Sequence, residues 1–331
     1  MKLKLCMVGC GSFTKTFHGP ALKRCLAENN DLELVACCAR RESSAREFAS
    51  AFGFARPYND VLQMLDIEKP DAVIVAVPPE ITCNSASPIL ERGYPTFLEK
   101  PPGLFPAELE KLIEAAKKGG AKVQVAFNRR HIPVMVEARR ILDTAFADAP
   151  VARIDYDMIR YGRWDSDFST TAIHSIDAVR FLAASPFLSA SLDYQPQKQG
   201  DKETMNVTVN IVCVSGVQMR INIRPVSGRN AETATIHALG KLLTVRLPFP
   251  GNPVSDRVVE YWSESKLVSS FNDTSAEPEM WNGIYHQTAE FLDAVRTGAA
   301  MGPSLADCRQ QVALMEAMRN RQQGPITFDV R

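Results

Sequence analysis

The chain has 331 residues, of which 45% are hydrophobic and 23% charged, and its 38 basic side chains balance its 38 acidic ones. This length and composition predict a globular protein of two domains and exclude wholesale disorder. Because neither half is strongly basic, neither nucleic acid nor an anionic membrane is expected as a partner. The longest uncharged run, Thr204–Met219, is too short and too polar to span a bilayer.

The amino terminus and the cysteines together predict a cytoplasmic protein. Residues 1–8 lack the long apolar stretch and the small-residue cleavage site of a secretory signal. The eight cysteines are scattered and include no Cys-x-x-Cys pair, and the histidines show no spacing typical of metal ligands. We therefore expect buried thiols in a reducing compartment, and no metal site.

Residues 1–125 alternate between short apolar runs and helical patterns. The apolar runs are predicted to be strands buried on both faces of a parallel sheet. They are Leu3–Val8, Leu32–Cys38, Ala72–Val77, Pro95–Leu98 and Val123–Phe127. Strands that alternate with helices predict βαβ units, and therefore a doubly wound nucleotide-binding α/β domain over residues 1–125.

Residues 126–331 have a different pattern, in which polar and apolar residues alternate. This period of two predicts an open, mostly antiparallel sheet with one covered face. The alternating segments are Ala152–Ile159, Leu188–Tyr194, Met205–Val214, Val217–Ile223 and Glu232–Leu239. The stretch between Pro248 and Pro278 is predicted to be a loop. The sequence thus indicates a second, α+β domain over residues 126–331. Packing of its last helices on the first domain is left open as an alternative.

The segment Gly9-Cys10-Gly11-Ser12-Phe13-Thr14 follows the first strand and precedes a helix. This context is the one that a dinucleotide fingerprint needs. The first glycine permits a tight turn, and the second lets a pyrophosphate approach the backbone at the start of the helix. Thr14 stands where the third glycine is usual, so the match is partial. The alternative is an ordinary glycine turn.

The second strand ends at Ala39-Arg40-Arg41, where an NAD-selective domain usually carries an Asp or Glu for the ribose hydroxyls. A carboxylate would repel a 2′-phosphate, whereas guanidinium groups pair with it in a fork geometry. The sequence therefore predicts NADP as the cofactor. NAD remains the alternative, with Arg40 and Arg41 as solvated charges at the start of a helix.

Three further segments carry polar side chains of the kinds found in catalytic sites. Glu99-Lys100-Pro101 and Asn128-Arg129-Arg130 each follow a strand of the first domain. In a doubly wound sheet, ligands bind beyond the carboxyl ends of the strands. His174 and Asp177 are three residues apart in a predicted helix, so they share one helix face.

With these motifs in this order, the sequence resembles the Gfo/Idh/MocA oxidoreductase family. The resemblance rests on the glycine turn, Glu99-Lys100-Pro101, Phe127–Arg130, the helix with His174 and Asp177, and the late segment Tyr285–Gly298 followed by Pro303–Asp307. It implies a Rossmann domain, a second domain with an open sheet, and hydride transfer between a nicotinamide cofactor and a sugar- or polyol-like substrate.

By this resemblance Lys100 and His174 are expected to be the catalytic residues. A histidine titrates near neutral pH and suits proton transfer at a hydroxyl, and a lysine ammonium stabilises a developing alkoxide. We expect His174 to be the acid/base and Lys100 to orient the substrate, or to donate the proton itself. Both groups are expected to converge on one bound nicotinamide ring.

The remaining site residues are expected at the strand ends and near the His174 helix. The cofactor-binding set is Gly9, Gly11, Ser12, Phe13, Thr14, Arg40, Arg41, Val77, Pro78, Glu99, Lys100 and Asn128. The set expected near the substrate is Arg129, Arg160, Trp164, Thr170 and Asp177. Arg160 and Trp164 could equally serve in core or interface packing. Asp177 could equally have a purely structural role. His18 is expected either to line the cofactor pocket or to cap a helix.

Two positions depart from the family pattern. Thr170 stands where the family commonly has an Asp one helical turn before the histidine, and Thr82 stands where relatives often carry a histidine. Threonine cannot balance an imidazolium charge. Either Asp165 or Asp167 substitutes from the preceding loop, or the proton relay differs, or the activity is weak.

The sequence therefore predicts an NAD(P)-dependent oxidoreductase that interconverts a secondary alcohol and a carbonyl. The alternatives are a reductase of a non-sugar substrate and a catalytically inactive nucleotide-dependent binding or regulatory protein. An otherwise exposed apolar face of the second sheet would favour self-association. We therefore expect a homodimer or homotetramer that assembles through this carboxyl-terminal sheet.

Overall fold

The structure, a computed structural model, describes residues 2–165, 167–253 and 256–329. These residues form two compact units. The first comprises the chain up to Asn128 together with Glu277–Val312, and the second comprises Arg129–Ala276 together with the chain from Ala313 onward. The structure thus returns the late segment 277–312 to the first unit.

The helices lie at the positions where apolar residues recur with helical spacing. Their bounds are α1 Gly19–Glu28, α2 Glu42–Phe52, α3 Val61–Glu68, α4 Pro79–Glu91, α5 Pro106–Gly119, α6 Pro133–Ala145, α7 Ser169–Ala183, α8 Pro278–Trp281, α9 Ile284–Thr297 and α10 Arg309–Arg319. Local signals set several ends. Asp60 caps α3 by accepting a hydrogen bond from the Gln63 N–H, and Gly53 ends α2 in the left-handed conformation.

The first unit contains a parallel sheet in the order β3-β2-β1-β4-β5-β6. The strands are β1 Leu3–Val8, β2 Leu32–Cys38, β3 Arg56–Tyr58, β4 Ala72–Val75, β5 Thr96–Glu99 and β6 Val123–Ala126. The doubly wound Rossmann fold expected from the sequence is confirmed. The strand order reverses between β1 and β4, and such a switch point is where open α/β sheets bind ligands.

The returning segment completes the core of the first unit. Phe291 and Leu292 of α9 are buried in the same apolar cluster as Leu5 of β1 and Phe97 of β5. The ring centroids of Phe97 and Phe291 lie 5.5 Å apart. Residues from the end of the chain are therefore structural parts of the nucleotide-binding fold.

The second unit is built on a mixed, mostly antiparallel sheet in the order β14-β13-β12-β11-β7-β10-β9-β8-β15, as the sequence predicts. Its strands are β7 Arg153–Ile159, β8 Phe187–Gln199, β9 Lys202–Cys213, β10 Gln218–Arg224, β11 Ala231–Ala238, β12 Lys241–Arg246, β13 Val258–Ser263, β14 Lys266–Asn272 and β15 Ile326–Thr327. The central pair, β7 and β10, is parallel. Apolar residues of α6 and α7 cover one face of this sheet.

The middle of the opposite face of this sheet is polar, which differs from the apolar face that we expected. The half-exposed and exposed side chains of the two central strands are mainly charged or amide groups, namely Arg153, Asp155, Asp157, Arg220 and Asn222. Exposed apolar side chains lie on β8, β9 and β14, namely Leu188, Val212, Leu267, Val268 and Phe271. The alternation in β7 and β10 therefore makes the centre of the second face hydrophilic.

The prediction of a loop between Pro248 and Pro278 was wrong, because β13 and β14 pair there as an antiparallel hairpin. The two strands are joined by Glu264 and Ser265, which both have positive φ values of 48° and 63°. Such a tight hairpin turn usually contains glycine or asparagine. Because neither glycine nor asparagine occupies this turn, the sequence carries no signal that predicts a hairpin here.

All eight cysteines are buried and unlinked, as expected for thiols that serve as small apolar side chains. Within the described residues, no helix is both long and apolar enough to cross a membrane.

Candidate functional site

The turn after β1 requires glycine at its first position. Gly9 has a φ of +105°, and its N–H donates to the Cys38 carbonyl at 2.8 Å. A Cβ atom at Gly9 would lie 2.0 Å from the carbonyl oxygen of Ala76, which follows β4. Both the conformation and the close approach of two backbones exclude a larger residue.

The second glycine leaves open space above the start of the helix. A Cβ atom at Gly11 would meet no atom within 4 Å, and Gly11, Ser12 and Phe13 are exposed. Exposed backbone at the beginning of a helix, with its N–H groups and its positive dipole end, favours a bound anion. This arrangement fits the pyrophosphate of a dinucleotide.

Thr14 takes the place of the third glycine as an interior residue of the turn. It is 1% exposed, and its hydroxyl donates to the Gly11 carbonyl at 2.8 Å. The following segment, Thr14–His18, forms a wide helical turn in which the Gly19 N–H bonds to the Thr14 carbonyl. Turns of this kind with an extra residue are frequent at functional sites.

A cavity of about 660 Å³ opens beside this turn within the first unit. Its volume is in the range of small-molecule and cofactor sites. It is lined by backbone and side chains from the ends of β1, β2 and β4, including Gly9, Gly11, Arg40, Arg41, Val77 and Pro78 from the predicted cofactor set. Of the described residues in that set, Ser12, Phe13, Thr14, Glu99, Lys100 and Asn128 do not line this cavity.

The rim of the cavity at the start of α2 is positively charged. Arg40 and Arg41 are exposed there, and no described carboxylate forms an ion pair with either. The two nearby acidic side chains of α2 are engaged elsewhere, Glu42 with Arg46 and Glu47 with Lys15. Ala39, at the end of β2, supplies no carboxylate. The rim is therefore suited to a phosphate group.

Glu99, at the end of β5, lies in a buried cluster next to the glycine turn. One carboxylate oxygen is 2.8 Å from Nε2 of His18, and the other accepts a hydrogen bond from the Lys100 N–H at 3.1 Å. His18 is fully buried and Lys100 is half-buried. The sequence offered two roles for His18, and this contact with Glu99 is a third that has no local sequence signal.

Asn128, after β6, is held by the returning segment. Its side-chain amide donates to the Asn282 carbonyl at 2.8 Å, and the Asn282 side chain accepts from the Ile284 N–H at the start of α9. Sequence reasoning missed Asn282. The two residues are 154 positions apart, and only the fold places them together.

In the second unit, α7 carries His174, which is 8% exposed. One turn further along, the carboxylate of Asp177 is fully buried and accepts two hydrogen bonds from Arg130, at 2.8 and 2.6 Å. Asp177 therefore has an arginine partner inside the fold. This bidentate pair fixes α7, and with it His174, against the segment that begins the second unit.

Arg129 and Arg160 converge on a second buried carboxylate, that of Glu232 in β11. Arg129 donates to both of its oxygens, and Arg160 donates to one at 2.5 Å. The Tyr156 hydroxyl also donates to it. Burial alone would raise the pKa of Glu232, but the two guanidinium groups and the hydrogen bonds lower it to about 2. Arg160 is 2% exposed, so the structure places it in the interior.

A substitute from the loop before α7 is one of the three alternatives for the missing Asp at Thr170. In this loop, Asp165 bonds to Arg163, while Asp167 accepts from the Ser169 N–H and from Arg319. These bonds lower the pKa of Asp167. Neither carboxylate bonds to His174 in the part of the chain that the structure describes. Thr170 and Trp164 are half-buried.

Across residues 2–165, 167–253 and 256–329, no group of three or more His, Cys, Asp or Glu side chains could hold a metal ion. The predicted site residues form two sets. One surrounds the cavity and the Glu99 cluster in the first unit. The other contains His174, Asp177 and the buried arginines in the second.

Comparison with known proteins connects this geometry to oxidoreductases. Residues 3–127 match the model of an oxidoreductase family with an NAD-binding Rossmann fold. The chain is 33% identical over 128 residues to the D-glucoside 3-dehydrogenase of Escherichia coli (strain K12), covering 39% of this chain and 35% of that protein. It is 24% identical over 343 residues to the inositol 2-dehydrogenase of Burkholderia cenocepacia (strain HI2424), covering 98% and 96%.

A solved structure of levoglucosan dehydrogenase in complex with NADH shares the fold, with a TM-score of 0.83 and 17% sequence identity, covering 99% of this chain and 100% of that one. Two relatives that are 32% and 33% identical are matched over only 42% and 35% of their own length.

Proposed function

We propose that this chain, whose residues 3–127 match the model of the Gfo/Idh/MocA oxidoreductase family, is a nicotinamide-dependent oxidoreductase that interconverts a secondary alcohol and a carbonyl. The observation that carries this proposal is the cavity beside the glycine turn. There, Gly9 permits a close backbone approach and Gly11 leaves the helix start open. When bound, the nicotinamide would accept or donate a hydride.

We propose a sugar- or polyol-like substrate. The relatives are named for the oxidation of hydroxylated rings, a glucoside and inositol. In this proposal His174 takes the proton from the hydroxyl during oxidation and returns it during reduction. Lys100 orients the substrate and stabilises the negative charge that develops on its oxygen.

A screen of polyols, sugars and their keto derivatives, followed through nicotinamide absorbance, tests this function. We expect turnover of at least one compound, and a loss of at least about a hundredfold in kcat for Lys100→Ala and for His174→Ala. Lys118→Ala, at an exposed position of α5, is the control and should keep wild-type turnover. If both alanine variants turn over an identified substrate at the wild-type rate, the assigned roles are wrong.

We further propose that NADP is preferred over NAD, because Arg40 and Arg41 give the cavity a positive rim and Ala39 provides no carboxylate. Arg40→Ser and Arg41→Ser should each raise the dissociation constant of NADPH about tenfold or more and leave that of NADH within about twofold. Fluorescence titration measures both constants. Tighter binding of NADH than of NADPH by the wild-type protein would contradict the preference.

A second candidate function is a nucleotide-dependent binding or regulatory protein without turnover. It is favoured by one observation, that Thr170 replaces the usual Asp while Asp165 and Asp167 are bonded to arginines. This candidate predicts that NADPH and a sugar both bind, with no change in nicotinamide absorbance over the whole panel.

We also propose that the protein is cytoplasmic and that it forms a homodimer or homotetramer through the polar face of the second sheet. Exposed charges such as Arg220 would then form complementary pairs between subunits rather than an apolar contact. Light scattering tests this assembly. A species of about twice or four times the chain mass should fall to the monomer mass in Arg220→Glu, and a monomeric wild type at micromolar concentration would contradict it.

A further inference from the structure

His18 has the contacts of a residue that connects two parts of the nucleotide site. It ends the wide turn Thr14–His18 that follows the glycine motif, and its ring meets the rings of Phe13 and Phe97 edge-on, with centroids 5.5 and 6.0 Å away. Its Nε2 atom is 2.8 Å from Glu99. His18 is fully buried, so these neighbours set its position.

The hydrogen bonds of His18 indicate which proton it carries. A carboxylate accepts, so Nε2 carries the hydrogen and donates to Glu99. Nδ1 is buried and meets no hydrogen-bond partner among the described residues. A second ring proton would therefore be a buried donor without an acceptor, which is costly. The contacts fit an imidazole that donates to Glu99 through Nε2.

Glu99 links His18 to the backbone of the next residue, Lys100. Its second oxygen accepts from the Lys100 N–H at 3.1 Å, while the first is held by His18. The carboxylate is 8% exposed, so water competes little for either bond. The backbone at Lys100 is thus tied, through one side chain, to the helix that begins at the glycine turn.

We propose that His18 is a positioning residue. It acts through Glu99 to fix the position of the Lys100 backbone relative to the dinucleotide-binding turn. The catalytic part of this inference rests on the proposed function, since it takes Lys100 as a residue that acts on the substrate. The structural part does not, because it concerns only how the Lys100 backbone is held.

The matched variants are His18→Phe and His18→Gln. Phenylalanine keeps a ring between Phe13 and Phe97 but cannot donate to Glu99. Glutamine places an amide donor near the position of Nε2 and should restore the bond. Lys118→Ala, at an exposed position of α5, serves as the control.

The first measurement is the rate at which the Lys100 amine is acylated by an N-hydroxysuccinimide ester, followed by peptide mass spectrometry across a pH series. In His18→Phe the loosened segment should react at least threefold faster than in the wild type, while the exposed Lys111 and Lys117 keep their rates. His18→Gln should return the rate and its pH profile to the wild-type values. An unchanged Lys100 rate in a folded His18→Phe protein would overturn the proposal.

The second measurement is kinetic. His18→Phe should lower kcat about tenfold and leave KM for the substrate within about threefold, and His18→Gln should recover most of kcat. If the wild type turns over no compound, the proposed function fails, and the acylation rates alone decide on His18. If His18→Phe does not fold, Glu99→Asp replaces it, because the shorter carboxylate cannot reach both partners. Faster acylation of Lys100 in that variant supports the proposal, and an unchanged rate overturns it.

Discussion

Arg130 holds Asp177 with two hydrogen bonds, one from Nε and one from a terminal nitrogen, although the two residues are 47 positions apart. Asp177 is fully buried, whereas the Arg130 side chain is 20% exposed. A bidentate guanidinium–carboxylate pair restrains both position and orientation. The pair therefore ties the middle of α7 to the start of the second unit.

Asp177→Asn should destabilise the protein by about 3 kcal/mol, because a buried guanidinium loses its counter-charge and faces an amide N–H₂ group. The free energy of unfolding in urea measures this. Asp143→Asn is the control, since Asp143 accepts two hydrogen bonds from Arg139 through its single oxygen Oδ1, at a side chain that is 62% exposed. That exposed pair should contribute less than about 1 kcal/mol. Equal losses for both variants would refute a special role for the buried pair.

Glu232 predicts a pH dependence of stability. Its pKa is lowered from 4.5 to about 2 in the folded protein, so its ionised form stabilises the fold fully above about pH 5. As the pH falls toward 2, the unfolded chain takes up a proton first and this contribution, about 3 kcal/mol, is lost.

The unfolding free energies of the wild type and Glu232→Gln should therefore converge as the medium is acidified. Between pH 6 and pH 3 their difference should shrink by about 2 kcal/mol. Glu114→Gln removes an exposed carboxylate of α5 and is the control. A difference that stays constant from pH 6 to pH 3 would show that Glu232 does not titrate in this way.

The two glycines of the turn should respond differently to alanine. Gly9→Ala forces a Cβ atom against the Ala76 carbonyl at a positive φ, so we expect a loss of stability of about 2 kcal/mol or more. Gly11→Ala meets no protein atom, so the melting temperature should stay within about 2 °C of the wild type. NADPH affinity should nevertheless fall about tenfold or more, because the methyl group occupies the approach to the helix start. Unchanged NADPH binding in Gly11→Ala would place the pyrophosphate elsewhere.

Asp167 should act on stability through the start of α7. Its carboxylate accepts from the Ser169 N–H and pairs with Arg319, so Asp167→Ala should cost about 1–2 kcal/mol of unfolding free energy. The Asp165 carboxylate pairs with the neighbouring exposed Arg163, and Asp165→Ala should stay within about 0.5 kcal/mol. The reverse order in chemical denaturation would contradict this assignment.

The parallel strands and the glycine turn could be predicted because their signals are local. Apolar runs such as Leu32–Cys38 predict buried strands, and the spacing of Gly9 and Gly11 predicts a turn. Both signals occupy fewer than ten consecutive residues. The parallel sheet of the first unit follows from repeating them, whereas the packing of α9 on this unit does not.

The long-range side-chain contacts could not be predicted, because no local pattern links their members. Arg129 meets Glu232 across 103 positions, and His18 meets Glu99 across 81. The β13–β14 hairpin is a local structure, but its turn lacks the usual sequence signal. Glu264 and Ser265 adopt positive φ values, which these residue types rarely do.

The return of residues 277–312 to the first unit has a consequence for dissecting the protein. A fragment that stops at Asn128 would contain all six parallel strands and yet lack Phe291 and Leu292, leaving an apolar gap against Phe97. Such a truncation should aggregate or stay partly unfolded. Any attempt to transplant the cofactor module into another protein must therefore join two pieces of sequence that lie far apart along the chain.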